Sequence, residues 1–215
     1  WKDVVNAGQL KVNVVSSGDS IKVLATGANV GAANALLPVE GEFLSLIDAA
    51  TLQPKAMEQT EKRQGKVLLS TVQFEGGKVT VKKSLNPGSA EEQLGYEASY
   101  EAARAFDLVS AAFFVRSQDL KVGASYSLVV VPQSTPQPFT MTVVAKEKYN
   151  FQGEDIDAFK ITVKPDRIDW RKDKVKKEDA KALNEKESAI KEKFKGGLGE
   201  IAGWVSADDR RLPLE

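Results

Sequence analysis

The sequence predicts a mainly β fold: a curved antiparallel sheet or open β-barrel of about eight to ten strands, with one buried helix and one exposed charged helix. Three observations carry this. Apolar and polar residues alternate with period two in many short runs. Clusters rich in Gly, Asn and Asp separate those runs. A single central stretch places apolar residues at helical spacing.

The elements follow in order. Leu10, Val12 and Val14 alternate with Lys11 and Asn13, as in a half-buried strand. Ser16-Ser17-Gly18-Asp19 turns the chain into Ile21–Ala25, which makes a hairpin. Residues 27–38 are rich in Gly, Ala and Asn and read as a loop or short helix. Strands are expected at Gly41–Asp48, Lys55–Glu61 and Lys66–Phe74. In the last of these, Leu68, Ser70, Val72 and Phe74 share a face. Gly76-Gly77 then leads into Lys78–Lys83, a hairpin signal. Asn86-Pro87-Gly88-Ser89 marks a longer loop.

The helix begins at Asp107, whose carboxylate suits an N-cap. Leu108, Ala111, Ala112 and Val115 share one face, and Phe113 and Phe114 make the segment apolar all round, as in a buried helix. Arg116 stands at its end, where a cation suits the helix dipole. Strands resume at Ser125–Val131, Phe139–Lys148, Ala158–Lys164 and Glu200–Ser206. The three prolines of 132–138 mark a loop or edge. Residues 171–195 hold ten Lys/Arg and six Asp/Glu, with Leu183, Ile190 and Phe194 as a narrow apolar stripe. They read as an exposed helix, and 166–197 as a charged insertion in a single barrel-like domain spanning 1–215.

Composition excludes more chemistry than it suggests. The 215 residues contain no cysteine and no histidine. Thiol catalysis, iron–sulfur clusters, the usual structural zinc sites, the Ser-His-Asp triad and His-ligated metals are therefore excluded. Carboxylate pairs, a Ser-Lys dyad, Tyr, or a cation held by oxygen remain open. Lys+Arg and Asp+Glu both number 30, so no basic excess points to nucleic acid. No apolar run reaches the length of a membrane span. The chain begins at Trp1, so it reads as a mature or trimmed form whose signal peptide has been removed. Its last residues, Arg211–Glu215, read as a strand cut short.

Five segments carry a resemblance. They are Ala7-Gly8-Gln9-Leu10, Ile47-Asp48-Ala49-Ala50-Thr51-Leu52-Gln53-Pro54, the helix Phe106–Arg116, the Leu120–Tyr126 stretch with Gly123, and Gly203–Pro213. In this order they resemble the uncharacterised bacterial family called domain of unknown function 3108. The lysine-rich segment departs from the family pattern and reads as an insertion. The family's usual opening strand before Ala7 reads as missing or trimmed, and so does whatever follows Pro213. The resemblance implies an exported protein, periplasmic or lipid-anchored, on a strongly curved antiparallel sheet. It implies no reaction.

Each candidate site has a plainer reading beside it. Trp204, Ser206, Asp208, Arg210 and Arg211 would suit an anionic or sugar ligand. They would equally suit a strand–turn–strand in which Asp208 bonds its own turn and an arginine meets a buried carboxylate, and this is the expectation. Asp107 and Arg116 would serve as a ligand clamp or, more simply, as caps of one helix. Asp155 and Asp157 would share a face if extended, although a solvated loop is the expectation. No spacing singles out a Ser-Lys pair. Neither a catalytic residue, a cofactor nor a metal ligand is assigned.

The function expected on these grounds is that of a non-enzymatic envelope protein that binds a lipid or another amphiphile in a curved sheet. The alternative is a structural or protein-interaction module of the envelope, with the charged helix as a contact. A third reading, a polysaccharide hydrolase, needs two carboxylates in one cleft. Expected partners are therefore lipid, envelope polymer or an envelope protein.

Overall fold

A computed structural model describes residues 8–30, 39–63, 65–90, 92–131, 135–166 and 201–214. The charged segment 171–195 and most of 27–38 lie outside the described residues. The protein is mainly β, and no closed barrel forms among the described residues.

Seven strands make the first sheet in simple sequence order: β1 (Gly8–Ser17), β2 (Ser20–Asn29), β3 (Val39–Asp48), β4 (Pro54–Arg63), β5 (Lys66–Glu75), β6 (Lys78–Leu85) and β7 (Gln93–Glu101). The second sheet has the order β12 (Ile201–Ser206), β11 (Glu154–Pro165), β10 (Gln137–Phe151), β9 (Ser125–Val130) and β8 (Ala105–Phe106). The single described helix, α1, spans Leu108–Ser117 between β8 and β9. The described residues form twelve strands, more than the eight to ten expected from the sequence. Part of the excess is β7, whose glycine and scattered charges hide its alternation, and the two-residue β8. The pairing of β8 with β9 is parallel, because α1 carries the chain over between them. Glu154–Asp157, expected as a loop, opens β11. The turn at Gln152-Gly153 is tight enough to bring them into the ladder, and Gln152 takes a positive φ there.

The chain divides into two compact units. The first comprises 1–117 and 129–136, and the second 118–128 and 137–215.

In the first unit the strand register turns alternation into rows. Residues directly opposite in an antiparallel pair face the same side of the sheet. One row therefore crosses all seven strands: Val14, Val23, Ser45, Met57, Val72, Val81 and Ala98. Its five middle members are buried. Val79, Ala105 and Val131 complete the core over this face, with Phe43, Phe74 and Tyr100 packed against it. The opposite face carries Lys22, Glu42, Glu58, Lys82 and Glu97, whose heads remain in water. An ion pair of 3.2 Å links Lys82 to Glu97 on that face.

In the second unit β10 and β11 form a long hairpin, broken by a bulge between Val143 and Ala145, and β12 adds to its far side. Met141, Val143, Ala158, Phe159 and Val205 are its buried apolar residues, with Leu120 and Leu128.

Candidate functional site

Asp107 is where the sequence places it, at the N-cap of α1, and it is fully buried. Its Oδ1 accepts the backbone N–H groups of Val109 and Ser110, both at 2.8 Å. Ser110 Oγ accepts the Asp107 N–H at 3.0 Å, which closes a reciprocal cap. Its Oδ2 accepts a 2.6 Å bond from Ser45 Oγ, on the inner face of β3. Burial raises its pKa, although the bonds from Ser45 and the helix N-terminus oppose that shift. Arg116 lies at the other end of α1, over the Phe113 ring at 5.8 Å. Ten helical residues span about 15 Å, so the two do not converge as a clamp.

The closing motif is bound up in itself. Ser206 Oγ donates to Asp208 Oδ1 at 2.6 Å and accepts the Leu212 N–H at 2.8 Å. Arg210 donates to Asp208 Oδ2 through Nε at 2.7 Å and lies at 2.6 Å through Nη2. Both carboxylate oxygens are thus engaged, and the Asp208 pKa is lowered by the Ser206 and Arg210 bonds. The carboxylate that meets an arginine is therefore exposed, not buried as expected. It sits in the turn itself, where its bonds close the turn. Arg211 has a positive φ and lays its guanidinium over Phe159 at 5.2 Å, with Lys146 5.8 Å from the same ring. Its Nη1 is buried without a hydrogen-bond partner among the described residues. Trp204 Nε1 donates to Glu147 at 2.8 Å, while Tyr149 stacks at 5.0 Å and the Lys160 ammonium sits 5.2 Å from the indole.

The remaining sequence candidates are also accounted for. Asp48 Oδ1 accepts the N–H groups of Ala50 and Thr51 and the Thr51 hydroxyl, so this motif too builds a turn. Asp155 accepts from Asn150, and Asp157 pairs with Lys148 at 2.8 Å. No group of three acidic residues suited to a metal ion occurs among the described residues.

A different constellation emerges on the inner face of the first unit. The row beside the core row reads Val12, Ala25, Phe43, Gln59, Ser70, Lys83 and Tyr96. It is apolar over β1–β3 and polar over β4–β7. Ser70 is buried, and Lys83 stands directly across from it. The Tyr96 and Tyr100 hydroxyls are hydrogen-bonded to each other. Burial pushes the Lys83 ammonium below its ordinary pKa, while Glu61 on β4 opposes that shift. The sequence carried one signal for this row. Lys83 has the same parity as Val79 and Val81, so a strand with those two inward must turn Lys83 inward as well.

The next row reads Leu10, Gly27, Gly41, Glu61, Leu68 and Leu85. Two facing glycines thin the sheet there. A hollow of about 440 Å³ opens over them, lined by Gly8, Leu10, Gly27, Gly41, Gln59 and Glu61. A second hollow of about 570 Å³ shares Gly27 and Gly41, and its outer-face lining includes Lys11, Thr26, Glu42, Thr60 and Lys62, with Ala28 as its apolar member. Neither Gly27 nor Gly41 needs a positive φ. A Cβ at either would meet its nearest neighbour at 3.5 or 3.6 Å, an ordinary contact. Their effect is space rather than backbone freedom.

Comparison with known proteins gives a family match and a similar solved structure. The profile of a family described as "Protein of unknown function (DUF3108)" matches residues 1–214. No curated protein matches the chain. The crystal structure of a DUF1089 family protein from Pseudomonas aeruginosa is similar at 8% identity and a TM-score of 0.48, covering 100% of this chain and 93% of that one.

Proposed function

The chain belongs to the DUF3108 family of unknown function, and from that premise we propose that it is a non-enzymatic protein of the bacterial envelope that holds an amphiphilic ligand. The ligand lies on the inner face of the first sheet, over the glycine-floored hollow. One observation carries this reading: the hollow has an apolar border on one side and a polar border on the other. Leu10 supplies the apolar side and Gln59 and Glu61 the polar side, with Val12, Phe43 and Lys83 in the row alongside. An acyl chain and its head group need that pairing of surfaces. Small concave sites that bind by shape and a few polar groups are ordinary for curved sheets.

A Ser-Lys nucleophile is the enzymatic competitor at the same place. Ser70 is only 4% exposed, which closes its hydroxyl to a substrate. The hydrolase reading finds its acidic pair, Asp155 and Asp157, each bonded to a neighbour on the hairpin surface.

Binding is tested by native mass spectrometry of the purified protein and by titration with a fluorescent apolar dye. We expect a copurifying small molecule or saturable dye uptake, and loss of either in Gly27→Val/Gly41→Val with the fold retained. No uptake by the wild type, or uptake unchanged in the double variant, would sink the proposal.

A further inference from the structure

We infer that the outer edge of β1, which pairs with no other described strand, pairs with β1 of a second copy, in antiparallel register about Val12, to join two seven-stranded sheets into one. The inference begins from how unprotected this edge is. Strand β1 is ten residues long, regular, and exposed along its whole length. Leu10 is 72% exposed, Val12 50% and Val14 55%. Exposed edges of this kind template further pairing unless charges, bulges, prolines or covering segments prevent it. The only charged residue of β1 is Lys11.

The other long edges are protected. Strand β7 carries Glu97 and Glu101, and its pairing with β6 is broken by an irregularity after Lys83. Strand β12 is covered by the closing motif: Leu214 N–H bonds Trp204 O, Ser206 N–H bonds Leu212 O, and Pro213 bridges Val205.

The hairpin geometry says which backbone groups are on offer. A two-residue turn, Gly18-Asp19, joins β1 to β2, and Ser17 pairs with Ser20. In such a hairpin the closing pair is hydrogen-bonded, and bonded pairs then alternate along the ladder. Ser17, Val15, Asn13, Lys11 and Gln9 therefore bond β2. Gly8, Leu10, Val12, Val14 and Ser16 direct their N–H and C=O groups to the free edge.

The side chains fit a second copy of themselves. With the two-fold axis at Val12, each Val12 faces the other, Leu10 faces Val14 and Gly8 faces Ser16. The inner face of the joint is then an unbroken apolar row. On the outer face Lys11 meets Asn13, so no like charges are opposed. This register uses all five outward-facing residues. The joint is made by the main chain and borders the ligand hollow through Gly8 and Leu10. The Gly27→Val/Gly41→Val variant leaves β1 unaltered and Val12→Pro leaves both glycines, so either proposal can fail without the other.

Sedimentation velocity over a wide concentration range tests the pairing, with circular dichroism to confirm folding. The wild type should show a reversible monomer–dimer equilibrium. Val12→Pro removes an N–H that β2 does not use, and it should leave a folded monomer. The register predicts a charge pattern as well. Asn13→Glu places a carboxylate opposite Lys11 and should tighten the dimer, whereas Asn13→Lys should weaken it, the two differing by about tenfold or more in dissociation constant. Restoration by Lys11→Glu/Asn13→Lys would fix the register. A wild type that stays monomeric at the highest concentration reached, or Asn13→Glu and Asn13→Lys dimers of equal strength, would overturn the inference.

Discussion

At Asp107 two demands conflict. The helix N-terminus and Ser45 favour a carboxylate, and burial disfavours any charge. Burial prevails, so the folded state holds its proton more tightly than the ordinary value of 3.8. The sign follows from that direction. Between 3.8 and the raised value the folded state binds more protons than the unfolded one. The contribution of Asp107 is thus fullest below 3.8 and declines as pH rises through the folded pKa. Asp19, Asp48 and Asp208 are shifted downward and act in the opposite sense, losing their contribution as pH falls. The effect must therefore be isolated by subtraction. Urea denaturation of wild type and Asp107→Asn should show the wild type losing ground to the variant as pH rises from 3.8. A difference independent of pH would refute the raised pKa. Asp107→Ala also removes the cap and orphans the Ser45 hydroxyl, and should cost about 2 kcal/mol at neutral pH. A loss below about 0.5 kcal/mol would remove Asp107 from the fold's supports. The sequence made the cap legible, because an aspartate before an apolar helical run has a local meaning. Its bond to Ser45, 62 residues earlier, has no local signal.

Among elements, the first hairpin shows how closely local chemistry constrains the chain. Gly18 takes a φ of 59° at the first turn position, while Asp19 has no positive φ, as in a type II′ turn. Gly18→Val should cost about 1–2 kcal/mol and would show as a lowered urea midpoint with an unchanged slope. An unchanged midpoint would mean that the turn is not held in this form. Ser16-Ser17-Gly18-Asp19 revealed this turn in the sequence, and Val67–Phe74 revealed the inward face of β5. Strand β7 went unread because Gly95, Glu97, Ser99 and Glu101 disfavour a strand by propensity, and its place is secured by pairing with β6. Lys83 belongs to the same lesson. Its neighbour Lys82 faces water and pairs with Glu97, whereas parity alone turns Lys83 inward beside Ser70. Lys83→Met should leave the fold intact and gain on the wild type as pH falls below 10.5, because burial disfavours the ammonium. Parallel denaturation curves at several pH values check this, and a difference that is constant with pH would contradict an inward Lys83.

At the scale of the molecule, burial rises from the edge of the first sheet to its middle. Val14 is exposed, Val23 is buried, and Met57, Val72 and Val81 lie under the core. Hydrogen exchange should follow that order, with amides of β4–β6 slowest and those of Leu10, Val12 and Val14 fast in dilute solution. Concentration should then slow those three β1 amides and leave their odd-numbered neighbours, already bonded to β2, little changed. Uniform protection across the sheet would contradict the gradient. By itself the sequence determined the β class, the parities of the strands it revealed, the first hairpin turn, the helix with its cap, the family and the exclusion of His and Cys chemistry. Each of these is written in neighbouring residues or in composition. Only the tertiary structure decided that the polar halves of β4–β7 form one row, that Gly27 and Gly41 face each other to open a hollow, and that Asp107 bonds Ser45. Register is the physical reason. A one-residue shift in any strand pair would send the same side chains to the opposite face, and register is fixed by contacts between segments far apart in the chain.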